Sequence, residues 1–231
     1  MINKTISTIS VFVMALGVMS TASNAETLDF TVNPFIGSNG SIAGTSYTIS
    51  ASGGTLSTAQ SFDGTNVAEC IGLACTNDGL GVTNGGGDDD DDEISSDGAG
   101  QSITIDFGAV VNVTGLAFLD LFTDDEGTNA AEVARVTYNG GSIDFNADAG
   151  QVRFDGSAGF LSANALNLFT NQLVFTVFNG ASQDRGYGDY SLASITAISA
   201  VPLPPAFLMF GAALGGAGWL ARRKKKATQS I

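Results

Sequence analysis

Between residues 27 and 198 the apolar residues of this chain come in short runs, alternating with polar residues or rich in aromatics, and glycine, asparagine and aspartate separate the runs. They begin at Thr27 (TLDFTV), Thr45 (TSYTIS), Ser102 (SITIDFG), Val111 (VNVTGLAFLDLF), Val133 (VARVTYNG), Ser142 (SIDF), Gln151 (QVRF), Gln172 (QLVFTVFNG) and Tyr190 (YSLASITAI). A period of two puts successive side chains on opposite faces of a strand, so these runs form half-buried β-strands. Asn139-Gly140-Gly141 and Asn179-Gly180 supply hairpin-turn chemistry between them. Helical spacing shows only weakly, from Ala158 to Leu168, and Phe160, Leu161, Leu166 and Leu168 there fit a loop or strand as well. The expected fold is all-β, a two-sheet β-sandwich of jelly-roll type, filling one domain over residues 26–200.

Both ends carry a different grammar. Residues 1–25 open with Lys4, continue through an apolar stretch from Val11 to Met19, and reach the small residues Ser23-Asn24-Ala25. That is the pattern of a signal peptide cut after Ala25. Residues 201–231 begin with Pro202, Pro204 and Pro205, which cannot donate backbone hydrogen bonds and end the globular part. A run of 16 uncharged residues follows, Ala206 to Ala221. As a helix it is about 24 Å long, somewhat short of the roughly 30 Å hydrocarbon core, and spans with thinning or snorkelling. Arg222, Arg223, Lys224, Lys225 and Lys226 then fix the tail on the cytoplasmic side, which places the domain outside the inner membrane.

This tail resembles the PEP-CTERM sorting signals of Gram-negative bacteria, in the Val-Pro-Leu-Pro-Ala variant. Val201, Pro202, Leu203 and Pro204 match, and Pro205 is inserted before Ala206. The resemblance implies that an exosortase, a membrane-embedded protease or transpeptidase, removes the helix and passes the protein to the cell surface or extracellular matrix. Gly79 to Val82 with Glu93-Ile94, and the stretch from Asp189 and Tyr190 through Ile195, are similar to segments of such exported proteins. A Gram-positive sortase signal needs Leu-Pro-x-Thr-Gly, and Leu203-Pro204-Pro205-Ala206-Phe207 lacks its last two residues. The remaining alternative is that the tail stays as a permanent anchor.

Removing both ends changes the charge. All 23 acidic residues lie between Glu26 and Asp189, and only Arg135, Arg153 and Arg185 of the 9 basic ones remain, three against 23, for a net −20. Such a field repels nucleic acid and acidic polymers, leaving calcium, cationic surfaces and neutral extracellular polysaccharide as partners. The acidic run Asp88, Asp89, Asp90, Asp91, Asp92 and Glu93 has two readings. It is a solvated loop, or it binds calcium, which takes about 6 to 8 oxygen ligands in loose geometry. By analogy with jelly rolls, Asp184 or Asp189 joins carbonyls near the first strand in a second calcium site. Cys70 and Cys75, the only cysteines, form one local disulfide in an exported chain.

Catalysis has little to work with. With no His there is no Ser-His-Asp triad, no Cys-His pair and no common zinc-hydrolase site. A carboxylate pair for glycoside hydrolysis has no identifying spacing here. Trp219, the one Trp, lies in the tail, leaving Tyr47, Tyr138, Tyr187 and Tyr190 as aromatic platforms for a sugar. The expectation is a structural or adhesive surface or matrix protein without enzymatic activity; the alternative is a calcium-stabilised carbohydrate-binding module.

Overall fold

A computed structural model describes residues 24–32, 36–57, 62, 64, 69–84, 93–95, 100–123, 131–178 and 188–200. Ten strands run in chain order: β1 (Glu26–Asp29), β2 (Asn39–Ile42), β3 (Thr45–Ser52), β4 (Thr55–Ser57), β5 (Gly81–Thr83), β6 (Ser102–Leu119), β7 (Val133–Tyr138), β8 (Gly141–Asn146), β9 (Leu161–Val177) and β10 (Ser191–Ser199). All pairings are antiparallel, with eight strands in one sheet and β4–β5 as a separate pair. The all-β expectation holds. The run QVRF is not a strand but leads into a single 3-10 turn, Arg153–Asp155. The weakly helical stretch after Ala158 is β9 from Leu161 onward.

Two strands are unusually long, β6 with 18 residues and β9 with 17, and each serves two layers. The first half of β6 pairs with β3 (Phe107 opposite Tyr47) and its second half with β10 (Val111 opposite Ser199). Along β9 the register slips between Asp106 and Val111, where Gly108, Ala109 and Val110 are consecutively exposed. Several β6 residues there face a single residue of β9, the signature of a bulge that bends a strand. A Cβ on Gly108 would push the exposed Ser46 hydroxyl aside, so glycine lets the corner close on β3 without that shift. One layer is therefore β2-β3-β6-β9-β7-β8 and the other β1-β10-β6-β9.

Contacts across the fold show the layers face to face. Phe118 pairs with Leu161 at the start of β9, while β7 begins its pairing with β9 at Val174. Unbent, that separation is about 40 Å along the strand. Yet Phe118 and Phe145 of β8 have ring centroids 5.1 Å apart. Ile103, Ile105, Val136 and Phe175 of one layer share a core with Leu28, Leu116, Phe118 and Ile195 of the other.

Tyr190 ties this core together. Its ring meets Phe118 edge to face at 5.5 Å, and its hydroxyl donates to the Thr176 carbonyl of β9 at 3.1 Å. It leads into β10 of one layer and bonds to the half of β9 that belongs to the other. Burial is complete and pushes its phenol well above the ordinary value of 10.0.

Two hairpins share one turn type. Asn139 (φ 44°) and Gly140 (φ 79°) connect β7 to β8, and Ala43 (φ 52°) and Gly44 (φ 73°) connect β2 to β3. Positive φ at both central residues is the type I′ turn that matches strand twist.

Replacing Tyr190 with Phe should lower unfolding stability by about 1 kcal/mol in urea melts, the worth of one hydrogen bond. Replacing it with Ala should lower it by about 3–5 kcal/mol. The raised phenol gives stability that is complete below pH 10 and falls as pH rises above it, because the unfolded chain ionises first. Tyr190→Phe should therefore flatten the alkaline loss of stability, leaving the smaller contribution of Tyr47, which burial and then Glu26 push upward.

Candidate functional site

Cys70 and Cys75 form a disulfide with Cα atoms 6.3 Å apart. Both cysteines are buried in a small apolar cluster with Ala117, Leu119, Ala158 and Ala193, so the segment closed by the bridge covers part of the outer face of the β1-β10-β6-β9 layer. The loop is moored to the end of β1. Asp29 Oδ1 accepts the Thr31 N–H (2.9 Å) and hydroxyl (2.6 Å), and Oδ2 accepts the Ala74 N–H (2.9 Å). Thr31 Oγ1 in turn accepts the Cys75 N–H at 2.8 Å, and the Thr31 carbonyl accepts the N–H of Thr76 and of Asn77. At the far end of the loop Ile71 is 83% exposed.

Sequence reasoning found the cysteines and missed their moorings. The available signal was Asp29-Phe30-Thr31, an acid two residues before a hydroxyl residue where a strand run ends, the pattern of a local side-chain turn.

The acidic candidates fall mostly elsewhere. Asp88, Asp89, Asp90, Asp91, Asp92 and Asp184 lie outside the described residues. Glu93 and Asp189 are described, both more than nine-tenths buried. They stand on neighbouring backbone segments: the Ile94 N–H donates to the Tyr190 carbonyl at 2.8 Å, and the Glu93 carbonyl accepts the Val82 N–H at 2.9 Å. Among the described residues no three Asp, Glu, Cys or His side chains are grouped to hold a metal ion. Of the aromatic candidates, Tyr47 and Tyr190 are core residues, 4% and 0% exposed, and cannot present a ring to a sugar. Tyr138 is half-buried in β7, and Tyr187 lies outside the described residues.

The sorting motif Val201 to Ala206 and the basic tail Arg222 to Lys226 also lie outside the described residues. Among those described, no helix is long and apolar enough to cross a membrane. What is described is the ladder next to the motif. β1 and β10 pair antiparallel, Glu26 opposite Ala197, and β10 runs to Ser199. Residues 25/26 and 200/201, the two expected boundaries, thus flank a single ladder. Glu26 fixes its own end further by accepting the Ala43 N–H at 2.6 Å.

Comparison with protein-family models and with curated proteins finds no match.

One exposed ion pair is placed among the described residues. Arg135 donates two hydrogen bonds to Asp144, from Nε at 2.7 Å and from a terminal nitrogen at 2.8 Å, and stacks over the Phe178 ring at 3.9 Å. The guanidinium holds the Asp144 carboxyl below its usual range, and with its own charge so used Arg135 offers no free cation to a ligand.

Intact-mass measurement of the protein purified without reductant should show no alkylatable thiol. Opening so short a loop by Cys70→Ser with Cys75→Ser should cost at most about 2 kcal/mol. Asp29→Ala should cost about 1.5 kcal/mol or more, because charge-assisted bonds to three donors are lost together. Chemical denaturation of both variants checks these two costs.

Proposed function

We propose that this chain is the precursor of a non-enzymatic cell-surface or extracellular-matrix protein, exported through residues 1–25 and sorted through residues 201–231 by an exosortase-type enzyme. One observation carries this reading: a proline motif, an uncharged run and a cationic block follow one another in that order directly after the domain. Each part has its own physical task. The prolines hold the cutting region extended, the apolar run keeps the substrate in the membrane, and the cations fix its orientation.

The described domain supports the reading in two ways. Among the described residues its strands begin at Glu26 and end at Ser199, within the expected domain bounds 26–200. Its pairings are also nested, β1 with β10, β6 with β9 and β7 with β8, as in a jelly roll, the sandwich class to which we assign the fold.

Mass spectrometry of surface-released protein from cells with and without the exosortase tests the sorting step. The expected result is a carboxyl terminus within residues 201–206 in the first strain and unprocessed chain in the second. Changing Val201 to Pro204 should leave the chain inserted but uncut, whereas neutralising Arg222 to Lys226 should weaken retention and let uncut chain slip outward. Protein ending at Ile231 from both strains would make the tail an ordinary anchor.

A further inference from the structure

Among the described residues, the outer face of the β1-β10-β6-β9 layer is capped at one end by the disulfide segment, and Thr27, Asn164 and Phe169 are exposed further along it. Cross-strand partners share a face, and the open rows can be read from the register. Thr27, Thr196, Gly115 and Asn164 form one row, and Ile198, Asn112 and Phe169 the next. None carries a charge, in a domain with three cations against 23 acids. Asp29 borders the shelf with both oxygens committed to Thr31 and Ala74, and Glu26 is held by Ala43.

Three features make the face more than a stretch of small residues. Gly115 keeps its floor low: a Cβ there would lie 3.3 Å from both Asn164 Oδ1 and Thr196 Cβ. Asn112 is only 7% exposed, and while its Nδ2 donates to Asn167 Oδ1 at 2.9 Å, its own Oδ1 is buried and accepts no hydrogen bond. A buried amide oxygen in that state is destabilising until a donor reaches it. Beside it in the same row Phe169 is 50% exposed. An aromatic face is electronegative and takes the electropositive C–H face of a sugar ring.

We propose that this shelf binds a neutral polysaccharide chain. Sugar hydroxyls match the exposed Asn164 amide and the Thr27 and Thr196 hydroxyls, which bond each other at 2.8 Å. Phe169 supplies the stacking surface. Four strands span about 15 Å, enough for a length of chain. The net charge of the domain turns away polyanions, and a face, unlike an edge, offers no backbone ladder to a peptide. The assignment goes beyond the sorting reading and does not depend on whether the tail is cut.

Native gel electrophoresis of the detergent-purified full chain tests it, with laminarin, hydroxyethylcellulose, galactomannan or dextran cast in the gel and alginate as the polyanion. At least one neutral polymer should retard the protein and alginate should not. Phe169→Ala and Asn164→Ala should each weaken that retardation at least tenfold in apparent Kd at unchanged melting temperature, whereas Ile71→Ala on the disulfide loop should leave it intact. No retardation by any of the four, equal retardation by alginate, or retardation that survives Phe169→Ala would overturn the assignment. None of these outcomes bears on where the carboxyl terminus is cut.

Discussion

The corner in β6 and β9 is the constraint on which everything else rests. Without the slip between Asp106 and Val111, eight strands would make one open sheet with an apolar face in water. With it, Phe118 meets Phe145 and Tyr190, and the hydrophobic effect has a closed interior to act on. The same bend separates the jobs of the two layers. One carries the hairpins and the Arg135–Asp144 pair, while the other holds both ends of the described domain and the uncharged shelf.

Much of this was legible from residue order, and the unread parts share a cause. β3, β7 and β8 announce themselves because their alternation is unbroken and Asn139-Gly140 has the residues a type I′ turn asks for. The β2–β3 hairpin has the same turn but puts Ala43 at a positive φ that alanine rarely adopts, and its N–H is held by a carboxylate 17 residues earlier. No local pattern reveals that. SITIDFG and VNVTGLAFLDLF read as two strands because the corner interrupts their alternation, though they are one. The first half of β9 leaves helix, loop and strand open in the sequence because Ala165, at φ 61°, sits where three residues face Thr114 alone, which shifts the phase of the pattern, and because Ser162 and Asn164 on its outer face are polar while Phe169 there is aromatic.

The site followed the same division. Cysteine pairing can be read from count and compartment, but that Asp29 and Thr31 hold the loop depends on a contact spanning 45 residues. Tyr47 and Tyr190 have the chemistry of a sugar platform, and burial removes both from that role. Among the described residues the exposed aromatic is Phe169, whose position on the outer face is set by the register with Asn112. Uncharged residues scattered over four strands become a surface only when pairing brings them side by side.

The pairing of first strand with last has a kinetic side. Glu26 finds its place opposite Ala197 only after nearly the whole domain has been made, so β1 spends that time without its partner and the Asp29 mooring without its frame. A fold closed by its most distant pair has a high contact order, and such β domains fold in roughly milliseconds to seconds, much slower than local hairpins close. Under the export route proposed above, the chain would cross almost entirely before it could fold. Its strands then travel as unpaired edges with little charge of their own, because only four of the 23 acids, Glu26, Asp29, Asp106 and Asp144, stand within them.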